Sequence, residues 1–525
     1  MPGGKRDRMG NRMNRSRLSL RVSLGLAVGL GALVTPPALA DDLRDALASA
    51  YRTNPTLESA RATQRAVDEN VPIARSQGLP SLGGNAAYTE VLKASANNGG
   101  IGPDRVLDLS ATASYPVYSG GAVRNGINAA EIRVRAGRAD LRGVETGIFA
   151  QTTAAYMDVI QNEAIVGLNR NNVQVLEVNL KATRDRYEIG DLTRTDVAQS
   201  EARLAQARSD LRAAEANLAA ARETYIRFVG KPAIALQPPP PLPGMPVSAE
   251  EAVAMALDNN PDLIGARERS KAARFDSKAA GAGRMPKVSV FVTGDRTDYL
   301  GSYTQSPFNP LTTTKPLTAQ AGVRATIPLF QGGLPAAQQR QAEARESAQL
   351  ETEIATEREV IAVVRTYYQQ WQAAQSIIVS SQSAVDAAAL SLEGVRAENS
   401  VGNRTILDIL NAEQELLNAQ TVLVRARRNA YVAGFNLIAA MGRATASDLG
   451  LDAGPLYDPD VNYRRVRHAI FDWEQDPRPI ARSTRTVDTP AQTGAISDAA
   501  AAALRPAGMP MNATAPTSAA ASGGK

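Results

Sequence analysis

Residues 187–207 read YEIGDLTRTDVAQSEARLAQA, and 212 residues later, at 399–419, the chain reads NSVGNRTILDILNAEQELLNA. Each stretch sets a glycine (Gly190, Gly402) three residues before a threonine (Thr193, Thr405). An aspartate follows three residues further on (Asp196, Asp408). A glycine turn followed by a Thr N-cap and an acid at N3 is the start of a helix closed by a capping box, with Asp in place of Glu. Beyond each turn the apolar residues fall every seven. In the second copy they are Ile409, Leu416, Leu423, Ala430 and Leu437, with Ala412, Ala419, Ala426, Ala433 and Ala440 three positions later. In the first they are Val197, Leu204, Leu211, Leu218 and Tyr225, with Ser200, Ala207, Ala214, Ala221 and Phe228. A strict heptad predicts a left-handed supercoil, and small residues along it let a partner helix approach closely.

Outward from the turns, more landmarks recur in order. Asn54-Pro55 and Leu79-Pro80 return 206 residues later as Asn260-Pro261 and Met285-Pro286. Tyr115-Pro116 with Gly120-Gly121 returns 212 later as Ile327-Pro328 with Gly332-Gly333, and so does Gly230 as Gly442. One unit is therefore written twice, with a longer surface loop in the second copy within the interval that matches Pro80 to Tyr115. Asn as N-cap and Pro at the first helical position open helices running to about Gln77 and Arg284. After each Gly-Gly a helical pattern of 69 residues reaches the glycine turn, on the order of 100 Å of rod. The helix opened by Asn54-Pro55 and the one opened by Thr193 together nearly match that length, so two short helices are expected to stack end to end beside each long one.

Between these helices the period changes to two. Leu107, Leu109, Ala111, Ala113, Tyr115 and Val117 alternate with polar residues and Pro116, as do Leu317, Ala319, Ala321, Val323, Ala325, Ile327 and Leu329 in the second copy. Segments of about ten residues, apolar on one face, suit membrane-barrel strands with Leu107, Leu109, Tyr115, Val323 and Ile327 toward lipid. A soluble half-buried sheet uses the same alternation. Hairpins are expected over about 81–117 and 287–329. Four strands cannot close a membrane barrel, and open edges in hydrocarbon leave backbone groups unsatisfied, so the membrane reading requires several chains.

The remaining segments bound the class. Residues 1–40 carry a basic stretch, an apolar run of 13 residues and Ala38-Leu39-Ala40, the pattern of a secretory signal peptide. That segment holds seven of the Lys and Arg against one acid, which accounts for the formal +5 and leaves the rest near −1. No basic, aromatic-interleaved stripe for nucleic acid remains. There is no cysteine and one histidine, His468, so thiol and multi-histidine metal chemistry are absent and no cofactor is implied. The segments are a first repeat at 41–230, a Pro-rich linker at 231–247 and a second repeat at 248–442. A C-terminal segment at 443–485 and an Ala/Pro/Ser/Thr-rich tail at 486–525, expected to be disordered, complete the chain.

These landmarks together resemble the TolC family of outer-membrane efflux and secretion channels over about residues 42–450. The resemblance implies a mainly α fold with membrane β: duplicated coiled-coil hairpins plus β-hairpins, three chains closing one 12-stranded barrel continued by a periplasmic α-helical tunnel. It implies a homotrimer in outer-membrane lipid, extending into the periplasm and working with a periplasmic adaptor protein and an inner-membrane ABC or RND transporter. By the same resemblance Gly190, Thr193, Asp196, Gly402 and Thr405 form adaptor-docking turns, with Asp408 lining the pore entrance and Arg404 in ionic contacts there. Asn411 stands where some relatives carry a second aspartate, and Asn399 where a latch tyrosine would be. The C-terminal LYDPDVNYRRVRHAIFDW stretch is similar to the type I secretion branch. Two other classes stay open at this point, a soluble periplasmic coiled-coil adaptor and an enzyme on a repeat scaffold. The enzyme would need a convergent acid, base or nucleophile, which the sequence does not display.

Overall fold

The computed structural model describes residues 41–93, 103–302, 315–451 and 454–496. The signal-peptide segment, parts of both β-loops and residues 497–525 of the expected tail lie outside them.

Each repeat opens with a short helix, α1 (Leu43–Thr53) or α6 (Ala249–Asn259), which the sequence reading did not mark. Asn-Pro then starts the next helix. In the first repeat this is α2 (Pro55–Asp68), followed after a break at Glu69 by α3 (Asn70–Ser76). In the second it is α7 (Pro261–Gly281), extended by a turn of 3-10 helix at Ala282–Arg284. The Asn side chain works twice in each copy. Asn54 Oδ1 accepts from the Thr56 N–H at 2.9 Å, while its amide donates to the Phe228 carbonyl at 3.1 Å. Asn260 Oδ1 likewise accepts from Asp262 N–H at 3.0 Å, and its amide donates to the Ala440 carbonyl at 2.8 Å. One residue thus caps its own helix and satisfies an orphan carbonyl at the end of another.

The long helices are α4 (Ala122–Glu188) and α8 (Leu334–Ser400), 67 residues each and about 100 Å long. Each turns back into a shorter helix, α5 (Arg194–Val229) or α9 (Ile406–Ala440). In the first copy α2 and α3 pack on α4 around Ala130 and Val134, ahead of the stretch that pairs with α5; in the second, α7 packs on α4 as well as on α8. The core lies where the hairpins and the short helices meet. Phe149, Tyr156 and Val159 of α4 and Leu218 and Tyr225 of α5 are fully buried there, with the Tyr156 and Tyr225 rings 6.3 Å apart.

The heptad of α5 is buried as the sequence predicts, through Ser200, Leu204, Ala207, Ala214, Leu218, Ala221 and Tyr225. In α9 the prediction holds only from Leu423 onward. Nearer the turn the buried line is Leu410, Glu413 and Leu417, one residue on from Ile409, Ala412 and Leu416. Two adjacent lines run along this helix, and the buried one near the turn includes Glu413, whose carboxylate is hydrogen-bonded.

The strands β1 (Ser81–Glu90), β2 (Arg105–Tyr118), β3 (Lys287–Asp298) and β4 (Leu317–Thr326) form one antiparallel sheet in chain order. Register aligns the apolar positions of all four on one face. Leu82 pairs with Ala113, Ala113 with Val292 and Val292 with Ala321; Tyr115 pairs with Val290 and Val290 with Val323. The opposite face carries Asn85, Ser110, Asp295 and Thr318 as partners. There Phe291 fills the space beside Gly322 and lies 4.8 Å under the Arg324 guanidinium. The longer second copy is explained in part by β3, 12 residues against 10 for β1. Pro116 stays inside β2, at a register shift before Tyr118, a position a strand tolerates for proline. Ile327 does not lie in a strand: β4 ends at Thr326, which pairs with the first residue of β3, so no partner remains for Ile327 or Leu329.

The C-terminal segment folds back on the repeats. Its helix α10 (Pro459–Val466) rests on α2, with Asn462 donating to Asp68 at 2.8 Å. Residues 486–496, placed by composition in the disordered tail, are instead held against α4 and α5. Arg222 donates to the carbonyls of Thr493 and Ala495 at 2.6 and 2.8 Å, and Ile496 is buried. Arg170 donates to the Ile496 carbonyl and Glu223 accepts from the Gln492 N–H, so side chains of α4 and α5 supply hydrogen bonds that the composition of the peptide does not reveal.

Candidate docking and entrance turns

The two turns singled out by the sequence share a geometry. In the first, Gly190 has φ +81°, its N–H donates to the Tyr187 carbonyl at 2.9 Å, and the Asp191 N–H donates to the Arg186 carbonyl at 2.9 Å. In the second, Gly402 has φ +85°, with the Gly402 and Asn403 N–H groups donating to Asn399 and Glu398 carbonyls at 3.0 and 2.9 Å. These are Schellman endings, which satisfy two orphan carbonyls and favour glycine because of the left-handed backbone. Thr193 and Thr405 then cap α5 and α9 in complete capping boxes. Asp196 and Asp408 accept from the backbone N–H of their threonines at 2.9 Å. The threonine hydroxyls donate to the same carboxylates at 2.7 Å, and these bonds first, then those from the backbone, hold both carboxyls below the usual carboxylate range. Both acids are therefore charged at neutral pH.

The turns differ in the sign of their ion pairs. Arg186 at the end of α4 meets Asp191 in the first turn at 2.6 Å, whereas Glu398 at the end of α8 meets Arg404 in the second at 2.7 Å. A cation suits the negative end of a helix and an anion does not, so Arg404 offsets a charge that Glu398 places badly. Arg404 is thus engaged within its own turn. Asn399, which stands where the resemblance would place a latch tyrosine, donates to the Arg404 carbonyl at 2.7 Å.

Above the turns the hairpins are tied together by residues that local pattern does not mark. The Glu413 carboxylate, 6% exposed, accepts from Asn179 of α4 at 2.9 Å and from Arg396 of α8 at 3.0 Å. Asn411 accepts from Arg203 of α5 at 2.9 Å. All four long and returning helices therefore meet close to both turns. Gly190, Thr193, Asp196, Gly402, Arg404, Thr405 and Asp408 lie at this end. Leu107, Leu109, Tyr115 and Val323 lie in the sheet, beyond the opposite ends of α4 and α8. Their face is bare: Leu82, Leu317 and Val323 keep 80, 77 and 69% of their surface exposed, and an apolar patch of this kind marks a surface that water does not normally cover. Among the described residues no helix is long and apolar enough to cross a membrane, and no cluster of ligating side chains could hold a metal ion.

Comparison with known proteins gives the same architecture. The family described as outer membrane efflux protein matches residues 46–231 and 252–443. The outer membrane efflux protein BepC of Brucella suis biovar 1 is 32% identical over 441 residues, covering 83% of this chain and 92% of that protein. The alkaline protease secretion protein AprF of Pseudomonas aeruginosa is 25% identical over 358 residues, covering 67% of this chain and 72% of that one. Among solved structures, the outer membrane protein VceC of Vibrio cholerae superposes with a TM-score of 0.65 at 22% identity, over 76% of this chain and 96% of that one.

Proposed function

Because the chain belongs to the outer membrane efflux protein family, outer-membrane channels that reach into the periplasm and are not enzymes, we propose that three copies assemble into one passive exit duct. The observation that carries this reading is the sheet. Its edge strands β1 and β4 each leave their outer edge unpaired among the described residues, and one face carries exposed Leu82, Tyr115, Val292, Leu317 and Val323, with Arg105, Arg296 and Asp298 on the same face toward one end. In hydrocarbon such edges must be closed. Three chains supply twelve strands, enough to enclose a lumen that eight would fill with side chains. Leu107, Leu109, Tyr115 and Val323 then face lipid, and α4, α5, α8 and α9 continue the wall as a helical tunnel.

At the far end, the turns Gly190 to Asp196 and Gly402 to Asp408 form the surface on which a periplasmic adaptor docks. An inner-membrane ABC or RND transporter provides the energy. Three Asp408 carboxylates, all ionised, ring the entrance and favour cations. Cargo is a secreted protein or small molecules. The likeness to a protease secretion protein favours the first, and the likeness to an efflux protein the second.

The test is the purified protein in detergent, run unheated and heated on denaturing gels and then placed in planar bilayers. The expected result is a heat-modifiable trimer with steady conductance, and Asp408→Asn lowering its cation preference. A stable monomer that conducts nothing would overturn the reading. Loss of a few abundant proteins from the culture supernatant of a deletion strain, restored on complementation, would assign protein secretion; an unchanged supernatant assigns efflux.

A further inference from the structure

Far from both turns, α1, α2 and the C-terminal segment close round a cavity of about 230 Å³. α1 brings Tyr51 and Arg52, α2 brings Glu58, Arg61 and Arg65, and the C-terminal segment brings Tyr457 and Arg482. Four guanidinium groups thus meet one carboxylate.

The frame is well fixed. The Tyr457 backbone N–H donates to the Tyr51 hydroxyl at 2.9 Å. Arg61 lies with its guanidinium carbon 4.3 Å from the Tyr51 ring centre and 5.3 Å from that of Tyr457. It is 6% exposed, gives one terminal nitrogen to Glu58 at 2.5 Å and leaves the other, Nη2, buried with no acceptor. Arg52, Arg65 and Arg482 make no ion pair among the described residues. Buried donors without acceptors and like charges without counterions both cost stability.

A neighbouring cavity of about 280 Å³ shares Tyr51, Arg61 and Tyr457 and provides a contrast. There Arg138 is paired with Asp460 at 2.6 Å, and Arg142 stands beside Glu145. On that side Arg138 has an acidic partner and Glu145 shares the lining with Arg61 and Arg142, whereas Arg52, Arg65 and Arg482 have no ion-pair partner among the described residues.

We infer that the 230 Å³ cavity binds an oxyanion, a carboxylate or phosphate group that joins Arg52 and Arg65 on the helices to Arg482 on the C-terminal segment. Guanidinium groups pair such oxygens through two parallel hydrogen bonds. The volume suits the charged end of a molecule, since pockets for whole drug-sized ligands begin at about 300 Å³. Because Arg482 comes from the segment that folds back on the repeats, the bound anion also holds that segment in place.

The test is calorimetric titration of the full chain in detergent with inorganic phosphate and, separately, with the dipeptide D-alanyl-D-alanine, at ionic strength kept constant with sodium chloride. Saturable binding of either probe, weakened about tenfold or more in both Arg65→Ala and Arg482→Ala, supports the site. The tighter probe assigns phosphate or carboxylate. Chymotrypsin digestion without ligand shows whether Arg482→Ala has released the segment. If it has, Arg65→Ala, which lies on α2, decides. No saturable binding of either probe, or unchanged affinity in Arg65→Ala, overturns the inference.

Discussion

At the scale of single residues, the turns are held by parts that can be removed one at a time. Thr193→Ala or Thr405→Ala is expected to cost its helix start about 1 kcal/mol. Gly190→Ala or Gly402→Ala is expected to cost about 1–2 kcal/mol, through backbone strain alone, since no atom lies near either glycine's would-be side chain. Amide hydrogen exchange over 186–197 and 398–409 reads both effects.

The capping acids add a pH dependence. The folded carboxyls of Asp196 and Asp408 sit below their ordinary value of 3.8, so the unfolded state binds protons more readily. Their contribution is complete above that value and is lost as pH falls through the depressed one. Exchange protection in the first turns of α5 and α9 should follow this course, and should become insensitive to acid at α9 in Asp408→Asn. Asp68 behaves oppositely. Burial raises its carboxyl, against the pull of Asn462 and Gln64, so the folded state is favoured as pH falls from the raised value toward 3.8. In Asp68→Asn the acid-side gain in melting temperature is expected to vanish.

At the scale of elements, the sequence was most informative where a rule is local. The repeat, the two long helices, the capping boxes and the alternation of β2 and β4 were all readable, because each depends on residues within a few positions of one another. What escaped depends on distant partners. Glu413, buried on the line one residue on from the expected one, is held by Asn179, 234 positions earlier, and by Arg396. The docking of 486–496 on Arg222 is of the same kind, whereas the break at Glu69 is local, since Pro72 of α3 cannot donate to the carbonyl of Asp68. Glu413→Ala should leave the Asn179 amide unsatisfied and cost about 1–3 kcal/mol, seen as earlier proteolysis between the hairpins on heating. Gly494 offers a second test. A β-carbon there would fall 2.0 Å from the Glu215 carbonyl oxygen, so Gly494→Ala should free the last described residues to protease while leaving the hairpins folded.

At the scale of the whole molecule, the proposed assembly makes the two faces of the sheet unequal. Val323→Arg puts a charge on the lipid face and is expected to cost about 2–4 kcal/mol if it lies near the bilayer midplane. Gln320→Arg, on the opposite face three positions away, should be tolerated. The fraction of heat-modifiable trimer in membranes separates the two. The alternation within β4 already separates the two faces; register extends that separation across the sheet by setting Val323 beside Val290 and Tyr115 in one row.

The double use of asparagine has a consequence for the order in which the chain is built. Asn260 finds its second partner in Ala440, 180 residues downstream, and Asn54 finds Phe228, 174 residues downstream. As the chain emerges, neither junction can be completed until the whole hairpin that follows has been made and has returned to it. Each half of the duplication therefore carries its own signal of completion. A chain cut short within α5 or α9 would lack that helix end and leave the asparagine amide without its partner, open to quality-control proteases.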